Sequence, residues 1–298
     1  MTAPSQPTSV VPNNTDRTYP HQPLPLKNRS DVPFYLVTGG LASCFVVLIL
    51  LLLVADVAFT SLHDFRTAIG KPEILASIRL TLLTCTVSAI ASIWVATPLA
   101  YVLTRFRFFG RSLVELLADI PLVLPPLVLG LSLLILFHWS IGSGADAWTL
   151  ESWLRDRVGF PVTHRWPAII LAQFCVACAF AVRMMRATFE QMDPRAEQVA
   201  QTLGCNRGQA FFQVALPQAS RGMLAATTIA WARSLGEFGP ILVFAGATRM
   251  RTEVLSTSVY LELSVGELGS AVAVSLLMVG IAVAVLIALR SIGEGMLR

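Results

Sequence analysis

Residues 190–217 read E-Q-M-D-P-R-A-E-Q-V-A-Q-T-L-G-C-N-R-G-Q-A-F-F-Q-V-A-L-P, a long polar island between two strongly apolar blocks. The spacing predicts two short helices. Asp193 suits an N-cap and Pro194 a first helical residue, after which Ala196, Val199, Ala200 and Leu203 fall on one face until Gly204 stops the helix. Asn206 then caps a second helix with Gln209 as its capping-box partner, running through Phe211, Phe212 and Val214 until Pro217 ends it. An apolar stripe on a polar loop needs a partner, and spacing alone leaves two open: the protein's own membrane helices, or another subunit.

Outward from the island the chain is apolar. Of 298 residues, 55% are hydrophobic and 13% charged, which excludes an ordinary soluble domain and makes the bilayer the solvent. Six apolar segments are long enough to cross about 30 Å of hydrocarbon: roughly 34–60, 78–103, 113–137, 168–185, 223–245 and 270–289. The fold class is therefore all-α, a polytopic membrane helix bundle of about six spans with a two-helix loop at 188–220. Residues 1–33 are rich in Pro, Ser, Thr and Asn, bury too little to offset chain entropy, and are expected to form a disordered tail. Residues 34–298 form the transmembrane domain.

The net charge of +4 and pI near 9.0 do not describe a nucleic-acid binder, because no basic face interleaved with aromatics is present. The cations follow membrane topology instead. Lys27 and Arg29, then Arg105, Arg107 and Arg111, then Arg183, Arg186, Arg195, Arg207 and Arg221 fall in alternate connections, whereas the others are mixed in sign. The positive-inside rule puts the tail, the island and both termini in the cytoplasm. Residues 63–73 and 248–269 read as loops on the other side.

Two spans carry groups that a membrane helix tolerates poorly. The third holds Pro121, Pro125 and Pro126, each lacking a backbone donor, so it is expected to kink or unwind, either lining a wet cavity or satisfied by neighbouring helices. Ahead of them Arg111, Glu115 and Asp119 recur every four residues as a polar stripe. The fifth span holds Arg233 and Glu237, which at i, i+4 can pair on one helix face, with Gly236, Gly239 and Pro240 around them. No phosphate loop, H-E-x-x-H or G-x-S-x-G occurs, and the histidines are scattered at His21, His63, His138 and His164. No catalytic residue and no metal ligand set emerges. Cys175 and Cys178 form a lone C-x-x-C, read as packing.

The order of residues in the island carries a resemblance. Glu197, Ala200 and Gly204, followed by Leu216 and Pro217, resemble the E-A-A, G and L-P signature of the membrane subunits of ATP-binding-cassette importers, on the loop that docks into their ATPase subunits. Counted back from Gly204, the E-A-A itself falls on Gln198, Val199 and Ala200, with the acidic residue one place earlier. The stretches A-R-S-L-G-E-F-G-P at 232–240 and P-L-V-L-P-P-L-V-L-G at 121–130 are similar to the molybdate, tungstate and sulfate branch. The resemblance spans roughly 76–290. It implies a permease subunit for molybdate or a related oxyanion, with no cofactor of its own and with ATP and Mg on a separate ATPase chain. It further implies an external binding protein, a homodimer of this chain and a place in the inner membrane. Glu197, Ala200, Gly204, Leu216 and Pro217 would then serve coupling, and Pro121, Pro125, Pro126, Arg233, Gly236, Glu237 and Gly239 the path or its gate. A secondary transporter driven by an ion gradient is the alternative, with Arg233, Glu237 and the broken third span as its coupling site.

Overall fold

The computed structural model describes residues 32–142 and 148–295. The expected tail at 1–33 lies outside these residues except for its last two. Regular structure among the described residues is helical, apart from an isolated antiparallel bridge between Ile141 and Trp148. The chain divides into two units, 1–52 and 53–298. The first contains most of α1 (Val32–Phe59), a helix apolar on every side, as a lipid-facing span is. The second contains the rest.

In the second unit α2 (Leu62–Gly70) precedes α3 (Pro72–Arg105), a helix of 34 residues that packs on α7 (Trp166–Gln191) and on α11 (Ser220–Leu235). Their contact is built from small residues: Cys85, Ala89 and Ala96 meet Ala177, Ala181 and Ala230, with Trp231 and Leu235 closing the cluster. Where lipid tails are as apolar as leucine, close backbone approach over such residues is what holds helices together. A second cluster joins Phe137, Ile169, Ala172, Ile241 and Phe244. The last helix, α14 (Leu268–Gly295), completes the apolar elements.

Four helices are long and apolar enough to cross a membrane, α1, α3, α7 and α14, and a bent pair makes a fifth candidate among the described residues. The pair is α4 (Arg111–Val123) and α5 (Pro126–His138), bent by 116° across Leu124 and Pro125. The expected break in the third span is therefore present. The fifth expected span is also broken, which its sequence period did not anticipate: α11 ends at Leu235 and α12 (Gly239–Phe244) begins after three non-helical residues. Pro240 at the start of α12 explains the restart, since it lacks the N–H that would continue the ladder.

Two stretches read as loops are helical. α2 covers most of 63–73, and α13 (Leu255–Val265) lies within 248–269. The charge of 248–269 concealed α13, whose Leu255, Thr257, Ser258 and Glu262 are buried. Its start is fixed by the Thr257 hydroxyl, which accepts from the Val254 N–H at 2.9 Å.

Candidate functional site

The island folds as its caps dictate. Asp193 Oδ1 accepts from the Arg195 N–H at 2.9 Å and opens α8 (Arg195–Thr202). The helix closes with the Cys205 N–H on the Ala200 carbonyl at 3.0 Å and the Gly204 N–H on that of Gln201 at 3.1 Å, with Gly204 at φ 99°. This is a Schellman stop, and it is the conformation that requires glycine, for nothing lies within 4 Å of where a Cβ would stand. Asn206 and Gln209 exchange both capping-box bonds, at 2.8 and 2.9 Å, to start α9 (Arg207–Ala210).

Pro217 does not end the second helix. A π turn over Phe211–Ala215, closed by the Leu216 N–H on the Phe211 carbonyl, widens the ladder just ahead of the proline, and the chain continues through α10 (Leu216–Gln218) towards α11. The expected stripe divides too. Val199 and Leu203 are 56% and 81% exposed, whereas Ala196 and Ala200 are half-buried. Val199 and Leu203 are thus left uncovered among the described residues, whereas Phe212, 66% exposed, lies with Ile90, Trp94, Pro98 and Leu216 around a separate apolar pocket, and Pro217 is exposed.

Glu197 points the other way. It is buried, and its carboxylate accepts from the Tyr101 hydroxyl at 2.7 Å and from Arg105 Nε at 3.0 Å, while Arg105 also donates to the Met192 carbonyl at 3.2 Å. Tyr101 lies against the rings of Phe106, Phe189 and Phe211. Glu197 thus clamps the island to the end of α3. Sequence reasoning had not connected Tyr101 or Arg105 with it, since they lie more than 90 residues away.

The two broken spans meet each other. A Cβ on Gly130 of α5 would stand 2.8 Å from Pro240 Cα, and one on Gly239 would stand 3.0 Å from Pro126 Cβ. Pro126 and Gly239 are therefore brought together, whereas Pro121 sits within α4 and Pro125 at the bend. Gly236 has an ordinary φ of −81° and no crowding beside it. Broken backbone in a membrane needs partners for its freed groups. Gln173 Nε2 of α7 donates to the Ser234 carbonyl at 3.2 Å, and the Ser256 hydroxyl of α13 donates to the Glu237 carbonyl at 2.7 Å. Gln173 was missed, although a lone amide inside the apolar run 168–185 was the signal.

Arg233 and Glu237 do pair, at 2.7 Å, but off a shared helix face: Glu237 lies in the break beyond α11. Its Oε1 lacks an aligned hydrogen bond, so the contact is Coulombic. Arg233 also sits 5.6 Å from the centre of the Phe180 ring. On α4, Arg111 pairs with Glu115 at 2.9 Å, and Arg186 of α7 reaches the same carboxylate at 3.3 Å.

A further charged cluster escaped notice at the start of α3. Glu262 of α13 is buried and takes Lys71 at 2.6 Å and Arg249 at 3.1 Å, its two oxygens each engaged. Glu253, in the connection between α12 and α13, is also buried, yet neither of its oxygens has a hydrogen-bond partner among the described residues. The nearby Ser258 hydroxyl donates to the Val254 carbonyl instead. Burial pushes the Glu253 carboxyl above its usual range, the negative Glu262 and Glu73 push the same way, and Arg249 opposes them.

Residues 88–297 match the family described as "Binding-protein-dependent transport system inner membrane component". The chain belongs to this family. The permease is 34% identical to the sulfate transport system permease protein CysT of Escherichia coli over 242 residues, 80% of this chain and 84% of that protein. It is also 34% identical to the molybdenum transport system permease protein ModB of Haemophilus influenzae, over 62% of this chain and 78% of that one. Its fold is shared with a crystal structure of a bacterial alginate ABC transporter in complex with an alginate pentasaccharide-bound periplasmic protein: TM-score 0.70, 17% identity, 89% of this chain and 95% of that chain. The permease is thus a multi-pass inner-membrane subunit of an ATP-binding-cassette importer, a transport component and not an enzyme. Membership decides against the ion-gradient transporter.

Proposed function

We propose that this permease forms the membrane path for a tetrahedral oxyanion, molybdate or one of its relatives tungstate and sulfate. The supporting observation is that relatives named for sulfate and for molybdenum transport are each 34% identical to it. Two copies of the chain line one path, an external binding protein delivers the anion, and both termini and the island face the cytoplasm. ATP and Mg belong to a separate ATPase, which docks on the exposed Val199 and Leu203. Ala200, Gly204, Leu216 and Pro217 shape that surface, while Glu197 conveys its movement to α3. ATPase closure would then reach the breaks at Pro125–Pro126 and Gly236–Gly239, where the gate lies, and alternate access between the two sides. A carboxylate repels an anion, so Glu237 holds Arg233 rather than the cargo.

The test is uptake by a strain lacking its own sulfate and molybdate importers and complemented with this permease, its ATPase and its binding protein. Saturable molybdenum accumulation that tungstate and sulfate inhibit in different degree is expected. Accumulation of neither sulfur nor molybdenum above the uncomplemented strain would overturn the oxyanion reading.

A further inference from the structure

The connection between α5 and α7 contains α6 (Leu150–Trp153), which continues as a π turn over Leu154–Val158. We propose that this element lies in the lipid interface and seats a phospholipid headgroup between Trp148, Trp153 and Arg157. Its ends decide where it sits. The connection leaves α5 at His138 and enters α7 at Trp166; α7 is long and apolar enough to cross the membrane, so Trp166 is at the height of a span terminus, and Phe137 at the end of α5 packs in one cluster with Ala168 and Ile169 at the start of α7. Exposed Trp139 and Trp166 stand at these two ends. Tryptophan gathers at that depth because its ring prefers the headgroup layer to either water or hydrocarbon.

The element is held rather than loose. Glu151 accepts from the Val162 N–H at 3.2 Å, the Thr163 N–H at 3.1 Å and the Thr163 hydroxyl at 2.9 Å, and Trp148 exchanges backbone bonds with Ile141 at 2.8 and 3.0 Å. Trp148 and Trp153, still 45% and 47% exposed, border a cavity of about 430 Å³ that Ser152, Asp156 and Arg157 complete. Its chemistry matches a zwitterionic headgroup. Asp156 is engaged by Arg155 at 3.0 Å, whereas Arg157 makes no ion pair with any described residue and is left to take a phosphate. The indole faces suit the ammonium of the same headgroup.

The complete permease, reconstituted in phosphatidylethanolamine–phosphatidylglycerol vesicles, carries the test through Trp148→Phe and Trp153→Phe. The emission lost on each substitution belongs to that indole. Expected is about a twofold quenching of that emission by lipid brominated near the glycerol end of its chains, with little quenching by aqueous acrylamide, as for an interfacial ring. Arg157→Ala should also lower the phosphatidylethanolamine that co-purifies with the protein. Quenching by acrylamide and not by brominated lipid would overturn the proposal, and so would acrylamide quenching that only the binding protein removes, which would make the surface a protein dock. Either indole gives the answer alone, so one variant that fails to accumulate leaves the test standing.

Discussion

Glu197 and Glu237 are both buried carboxylates beside an arginine, and they are built as opposites. Glu197 receives two aligned hydrogen bonds, from an aromatic hydroxyl and a guanidinium, on a helix held at both ends by its own caps. Glu237 lies in a non-helical break, with an arginine at 2.7 Å whose N–H groups do not align on Oε1. The first is a fixed joint between the island and α3. The second is a contact without an aligned hydrogen bond on Oε1, in a segment whose carbonyls are satisfied from two different helices.

The contrast is sharpest in the cost of removing each carboxylate. Glu197→Ala strands Arg105 and Tyr101, and the loss of one partner from a buried pair costs about 3–5 kcal/mol. Unfolding of the purified permease in detergent should show it, with Glu197→Gln milder because the amide oxygen still accepts one bond. A Glu197→Ala variant as stable as the parent would mean that the clamp contributes nothing.

Next in size is the contact between the broken spans. Gly130→Ala forces a Cβ to 2.8 Å of the Pro240 backbone, an overpacking that costs about 1–3 kcal/mol. By contrast, Gly236→Ala makes only ordinary contacts, the nearest with Arg233 Nη1 at 3.8 Å, at an ordinary φ and should unfold with the parent, within about 0.5 kcal/mol. Equal behaviour of the two variants would refute a tight seam at Gly130.

The contact at Arg233 and Glu237 is measured by a cycle of Arg233→Met, Glu237→Gln and the double variant. A coupling of about 1 kcal/mol is expected, below that of Arg105 with Glu197 in the same assay. Coupling at Arg233–Glu237 that equals or exceeds it would erase the distinction between the joints.

Smallest is the effect at Glu253, where no joint forms. Its folded carboxyl titrates above the unfolded one, so the native state holds a proton that the unfolded chain has already released. The native protein therefore loses stability as pH rises from the ordinary carboxyl value of 4.5 towards the raised folded value. Glu253→Gln should be the more stable of the two above that window and should match the parent below it. Parallel pH profiles for the two proteins would show that Glu253 is not perturbed.

The parts of this fold legible in the sequence are those whose cause is local. The caps at Asp193 and Asn206, the stop at Gly204 and the bend between α4 and α5 follow from residues adjacent in the chain. The class, the island and the family signature were legible for that reason. What was not legible depends on partners far away. The direction of Glu197 is set by Tyr101 and Arg105, and the burial of α13 by Thr81, Lys71 and α14, none of which periodicity can bring together. Pro217 misled for an intermediate reason: a proline stops a helix only where the ladder ahead of it is regular, and here it is not.

That irregularity bears on how the island tolerates editing. A π turn is an α-helix with one residue too many, so deleting a residue from Phe211–Ala215 would restore the regular ladder and turn everything before it by about 100° relative to everything after. Insertion and proline are a matched pair: excise Gln213 alone and Pro217 faces a tight ladder while Val199 and Leu203 swing away from the face they now present. In this loop a shortened chain would be harder to accommodate than a changed side chain, and frame, more than composition, is what inheritance has to preserve.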